Sequence, residues 1–173
     1  MGIFNSNRPK IPLEELEKSA FERFLSIISI LIFLGSVVFL VVIWSNLPDQ
    51  VPAHFGATGE VNRHGSIWEL VVLLAVGAVL YVLMHVLEKY PHLHNYPVEI
   101  TELNAAEAYR ISRTLIGTLK NVILILFSVL MVNSTVIALG WGDGIGILLL
   151  PLVLLGTGLP TIIALVRLVK LAS

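Results

Sequence analysis

The sequence predicts an all-α integral membrane four-helix bundle with an N-terminal interfacial helix and an ordered outer loop. Two observations carry this: 56% of the 173 residues are hydrophobic and only 13% charged, against about 25% charged in a soluble domain, and the charges are segregated. Four runs lack Asp, Glu, Lys and Arg: 24–47, 70–87, 121–142 and 144–166. Each is close to the roughly 20 apolar residues that cross a bilayer core as a helix. A helix is required there because a backbone amide in hydrocarbon finds no water partner. The four runs hold 87 residues, and the other 86 carry all 23 charges. This distribution excludes a soluble enzyme and a nucleic-acid binder, and the net charge of −1 argues against a strongly polarised partner surface.

The elements follow in chain order. Over 12–23, Leu13, Leu16, Ala20 and Phe21 recur at helical spacing and leave Glu14, Glu15, Lys18 and Glu22 on other faces. This predicts an amphipathic helix on the inner leaflet, with a Glu14–Lys18 pair. Four acidic groups ahead of a long apolar run read as no signal peptide, so the first span (24–47) is expected to be an anchor. The outer loop, 48–66, is rich in Pro and Gly. Pro48 and Pro52 favour extended geometry before them, Gly56, Gly59 and Gly65 permit turns, and Val51, Ala53 and Phe55 alternate with Pro52 and His54. A short strand or hairpin folded onto the helix ends is the expectation.

The second span covers 67–87. An inner loop and cytosolic helix occupy 88–120, where Pro91 and Pro97 interrupt any continuation of the span before them. From Leu103 onward helix formers run into the third span, 121–141, with Thr101 as a candidate cap. The fourth span is 145–166, and the Gly142-Asp143-Gly144 connection makes the last two helices an antiparallel pair.

Lys and Arg accumulate on the cytoplasmic side of membrane proteins. Here ten of eleven fall on one side, Arg63 being the exception, so both termini are expected in the cytoplasm of a cell-membrane protein. Trp44, Trp68 and Trp141 all fall at helix ends on the outer side, where indole favours the headgroup layer.

Candidate chemistry is sparse. Asn133 is expected to fix helix packing through a hydrogen bond, and His85 lies one turn from the inner end of the second span beside Glu88 and Lys89. His54 and His64 share the outer loop with Asp49 and Glu60, but ten residues apart they match no metal motif, so no metal and no cofactor are expected. His92 and His94 read as interfacial polar groups. Cysteine is absent, and no Gly-x-Ser-x-Gly or His-Glu-x-x-His occurs, so the chain is not expected to be an enzyme.

The segment WSNLPDQVPAHFGATGEVNRHGS resembles the signature of a bacterial membrane-protein family known as domain of unknown function 1648. The matching positions are Trp44, Leu47, Pro48, Pro52, His54, Phe55, Gly59 and Gly65. The stretch PHLHNYPVEIT also resembles the family through Asn95, Tyr96 and Pro97. Members often carry Asp and then Lys after the turn, where this chain has Asn62 and Ile67. Well-known relatives are Sdp-type immunity proteins, which protect a producer from a secreted membrane-active toxin and sequester a cytosolic repressor. The resemblance implies a bacterial plasma-membrane protein, and the long ordered outer loop beside a chemically plain membrane core points to a non-enzymatic role in immunity or sensing. Its expected partners are the lipid bilayer, an extracellular peptide or envelope component meeting the outer loop at Pro48, Pro52, His54, Phe55, Gly59 and Asn62, and a cytosolic protein meeting Asn95, Tyr96 and Pro97. The alternative is a small membrane transporter or ion-binding protein, motivated by His54, His64, Asn133 and the Pro and Gly content of the fourth span.

Overall fold

A computed structural model describes residues 8–171. Its elements are α1 (Ala20–Ile43), β1 (Gln50–Phe55), β2 (Val61–Ser66), α2 (Trp68–Leu87), α3 (Ala105–Ala138) and α4 (Leu149–Val169). Four helical segments, Ala20–Asn46, Trp68–Leu87, Ala105–Ala138 and Gly146–Val169, are long and apolar enough to cross a membrane. The fold is therefore that of a multi-pass membrane protein, with one two-stranded antiparallel sheet added.

The long helix α3 is the centre. It packs against α1, α2 and α4, and β1 lies against it as well. Its composition suits that position: Gly117, Ser112, Ser128, Ser134 and Thr135 are buried, and small side chains let neighbouring helices approach closely in lipid. At one such contact a Cβ on Gly77 of α2 would stand 2.8 Å from the Phe127 side chain of α3. The faces of α1, α2 and α4 turned away from α3 carry exposed Leu, Ile and Val along their length, as lipid-facing surfaces do.

Helix α1 opens on a capping box. The Glu22 N–H donates to the Ser19 hydroxyl at 3.2 Å, and the Ser19 N–H donates to the Glu22 carboxylate at 2.8 Å, satisfying two donors of the first turn. Along the α1–α3 contact, the Ser29 hydroxyl donates to the Asn121 side-chain oxygen (2.7 Å), and the Asn121 amide donates to Ser26 (3.0 Å) and to the Gly117 carbonyl (2.7 Å). The sequence places none of these polar pairs.

Three expectations are corrected. Instead of a helix over 12–23 there is one 3-10 turn, Leu13–Glu15, and α1 starts at Ala20. The segment is held by α3 instead: Tyr109 donates to the Pro9 carbonyl (2.9 Å) ahead of it, and Arg113 donates to the carbonyls of Leu13 and Leu16, the latter a group a continuous helix would bond internally. Leu16 is buried in a cluster with Ala105, Ala108, Tyr109, Ala164 and Leu168. Lys18 pairs with Glu88 and not with Glu14. Finally, α3 begins after Asn104, whose side-chain oxygen accepts the Thr101 N–H at 2.9 Å, so Thr101 is the partner of the boundary residue and not the cap.

Candidate functional site at the hairpin

Strands β1 and β2 form a hairpin at the end of the bundle where Trp44, Trp68 and Trp141 lie. The register pairs Val51 with Gly65, Pro52 with His64, His54 with Arg63 and Phe55 with Val61. It shifts twice, leaving Ala53 unmatched on β1 and Asn62 unmatched on β2. The alternation expected from the sequence holds over Ala53, His54 and Phe55, where only His54 is exposed, but Pro52 is buried beside Val51.

The hairpin is fastened at three points. Val51 sits in a cluster with Leu40 of α1, Leu70 and Leu74 of α2 and Met131 of α3. Arg63 donates two parallel hydrogen bonds to Glu69 in the first turn of α2, at 2.9 and 2.7 Å, the bidentate geometry that makes such pairs strong. At the tip, Gly59 has φ +82° and lies so close to the Gly146 backbone that a Cβ would collide with it. Within the tip the Glu60 carboxylate accepts from the hydroxyl and N–H of Thr58. The Thr58 hydroxyl, with the backbone hydrogen bonds, holds the Glu60 carboxyl below the usual carboxylate range.

Beneath the hairpin lies a crevice of about 190 Å³ bordered by Ala53, His54, Phe55, Leu73, Leu130, Ser134 and Leu149. Ser134 is fully buried, and its hydroxyl has no hydrogen-bond partner among the described residues. A buried polar group left unpaired costs about 1–3 kcal/mol, and Ser134 carries that cost at the border of the crevice. His54, on the exposed face of β1, stands at its rim. Of the other residues singled out from the sequence, Phe55 borders the crevice, Pro52 is buried beneath the sheet, Gly59 makes the tip contact, and Pro48 and Asn62 are exposed. Among the described residues no three of His, Cys, Asp and Glu converge as a metal site.

Asn133 does not face the crevice. Its side-chain oxygen accepts the Ile145 N–H at the edge of a separate groove of about 460 Å³ between α1, α3 and the α3–α4 turn. Nor do the residues expected at the other end form a surface patch. The Tyr96 hydroxyl donates to the Pro91 carbonyl (2.8 Å), and its half-buried ring packs against Tyr109 and beneath Arg8; burial pushes its phenol well up from the ordinary value. Asn95 and Pro97 flank it, exposed.

A second buried constellation was missed from the sequence. Glu88 (2% exposed) accepts from Lys120 (1% exposed) and pairs with Lys18 at 2.5 Å, while His85 Nδ1 lies 3.3 Å from Lys120 Nζ. Burial pushes the Glu88 carboxyl up, but the hydrogen bonds from Lys120 and Lys18 outweigh it and hold the group below its ordinary value. The available signal was that Glu88 ends one apolar run and Lys120 begins another at the same end of the bundle. His94, expected at the interface, is instead buried: its Nδ1 is 2.6 Å from the Ser112 hydroxyl and its Nε2 2.9 Å from the Leu87 carbonyl. The carbonyl requires Nε2 to carry the proton, so Ser112 donates to Nδ1.

Helices of this length around a polar-seamed central helix define a multi-pass membrane protein with a hairpin-capped end. Residues 31–79, from the middle of α1 through the hairpin to the middle of α2, match the family described as domain of unknown function 1648. A protein of Archaeoglobus fulgidus, described as uncharacterized, is 39% identical over 62 residues, covering 31% of this chain and 34% of the relative. The chain thus spans about a third of that relative's length. No solved structure matches the chain. The family match brackets the whole hairpin, so the loop resemblance read from Pro48, Pro52, His54 and Gly59 and the matched region coincide.

Proposed function

We propose that this chain is a non-enzymatic cell-membrane protein, both termini in the cytoplasm, that recognises an extracellular peptide or envelope component through the hairpin, in immunity or sensing. The observation that carries this reading is the crevice under β1, rimmed by His54 and bordered by Ser134, whose buried hydroxyl has no partner among the described residues. Neither His54 nor His64 makes a side-chain hydrogen bond among the described residues, and both are exposed, so these imidazoles are available to a partner. Arg63, the one basic residue of the loop, is already engaged by Glu69. A hairpin fixed to α2, α3 and the α3–α4 turn is preorganised, which lowers the entropic cost of binding.

The transporter reading is less well supported because the buried polar groups of α3 are mostly occupied: Ser128 bonds the Leu124 carbonyl, Asn121 bonds α1, and Asn133 bonds Ile145. The test is expression in a sensitive host challenged with a panel of membrane-active peptides. Protection is expected from the native chain and lost in Ser134→Leu and His54→Ala. Absence of protection across the panel, with normal membrane insertion, overturns immunity.

A further inference from the structure

At the end of the bundle opposite the hairpin, α3 and α4 part to leave a groove of about 470 Å³. Its lining is largely apolar, with Leu115 of α3 and Leu159 and Ile163 of α4 beside Thr114 and Thr118, and it carries the basic Arg110 and Arg167. Arg167 is exposed and makes no hydrogen bond or ion pair among the described residues. Arg110 is half exposed; it donates to Glu107 at 2.9 Å and weakly, at 3.4 Å, to the Glu15 carbonyl. Counting Glu107, the groove carries one net positive charge.

We propose that this groove is a binding site for an anionic phospholipid, its phosphate held between Arg110 and Arg167 and one acyl chain lying along Leu115, Leu159 and Ile163. Three features favour this occupant. The charge is of the sign that an anionic headgroup complements, and basic pockets between membrane helices hold such headgroups. The apolar lining has no use to a soluble phosphate. The run from Arg167 to Leu159 covers eight residues of α4, about 12 Å at the helical rise, close to the ~15 Å of hydrocarbon in one leaflet. The site is independent of what the hairpin recognises.

The full chain is reconstituted in nanodiscs of equimolar phosphatidylglycerol and phosphatidylcholine, extracted into mild detergent, and scored for retained lipid by native mass spectrometry. Phosphatidylglycerol is expected to be retained in preference to phosphatidylcholine. Arg167→Gln and Arg110→Gln each lower that retention roughly fivefold, the effect of one basic side chain near a lipid headgroup. Ile163→Trp, which fills the groove while keeping both arginines, lowers it as well. Lys89→Gln, an exposed cation outside the groove, leaves it unchanged. Equal retention of the two lipids, retention unaffected by both arginine substitutions, or an equal loss in Lys89→Gln overturns the proposal.

Discussion

The side-chain oxygen of Asn133 accepts the backbone N–H of Ile145 at 2.7 Å, so a residue of α3 fixes the start of the path into α4. Gly144, at φ +72°, comes so near that oxygen that a Cβ would collide with it. Asn133→Leu leaves the Ile145 N–H without its partner and is expected to destabilise by about 1–2 kcal/mol, read as a lowered unfolding midpoint in detergent. A midpoint equal to that of the native protein removes the assigned role.

Glu88 and Lys120 form the most deeply buried ion pair described. Glu88→Gln leaves Lys120 and Lys18 facing each other without a carboxylate, and removing one partner of such a pair costs about 3–5 kcal/mol. Glu88→Leu with Lys120→Leu should recover most of that loss, because a buried pair replaced by apolar groups is often neutral. If the double variant is no better than the single one, the pair is not the source of the effect.

Acid should act on the same group. The folded value for Glu88 lies below its ordinary 4.5, so its contribution is complete above pH 4.5 and disappears as pH falls through the folded value. Glu88→Gln should flatten the stability profile in that acid range; a profile as steep as the native one contradicts this.

His94 sets a separate window. Burial lowers it from 6.5, and its neutral form receives Ser112 and donates to Leu87. The unfolded chain therefore takes up the proton first, and stability declines as pH drops below 6.5 towards the folded value. His94→Gln should remove this dependence while leaving the more acidic loss due to Glu88, as followed by tryptophan fluorescence across pH 7 to 5.

Gly59→Ala tests the attachment of the hairpin. The left-handed backbone costs an L residue about 1–2 kcal/mol, and the added methyl meets Gly146. Faster hydrogen exchange over Gln50–Ser66 is expected, with α1–α3 protection unchanged. Uniform exchange across the whole chain would show that the tip contact supports the bundle and not the hairpin alone.

Orientation is read by labelling the naturally cysteine-free chain at two exposed sites. Thr58→Cys at the hairpin tip should react with an impermeant thiol reagent in intact cells, and Leu103→Cys (Leu103 is 99% exposed) only after lysis. The reverse pattern inverts the proposed topology.

The spans were legible in the sequence because they answer to a local quantity. A run of about 20 apolar residues matches the bilayer thickness wherever it occurs, so α1, α2, α3 and α4 could be placed from Phe24, Leu70, Asn121 and Gly144 onward without knowing any contact. The hairpin was legible for a similar reason, since Pro and Gly restrict their own backbone and their neighbours'.

Only the tertiary structure decided which residues meet. Glu88 and Lys120 are 32 positions apart and Ser29 and Asn121 are 92 apart; such pairings depend on how each helix is rotated about its axis, and spans apolar on every side hold no periodic signal to fix that rotation. The N-terminal segment reads as an amphipathic helix, yet it forms only a short 3-10 turn whose carbonyls at Leu13 and Leu16 accept from Arg113 of α3. The same packing leaves Ser134 unpaired beneath His54 and opens the groove between Arg110 and Arg167, so bilayer thickness fixed the spans while packing around α3 created both sites.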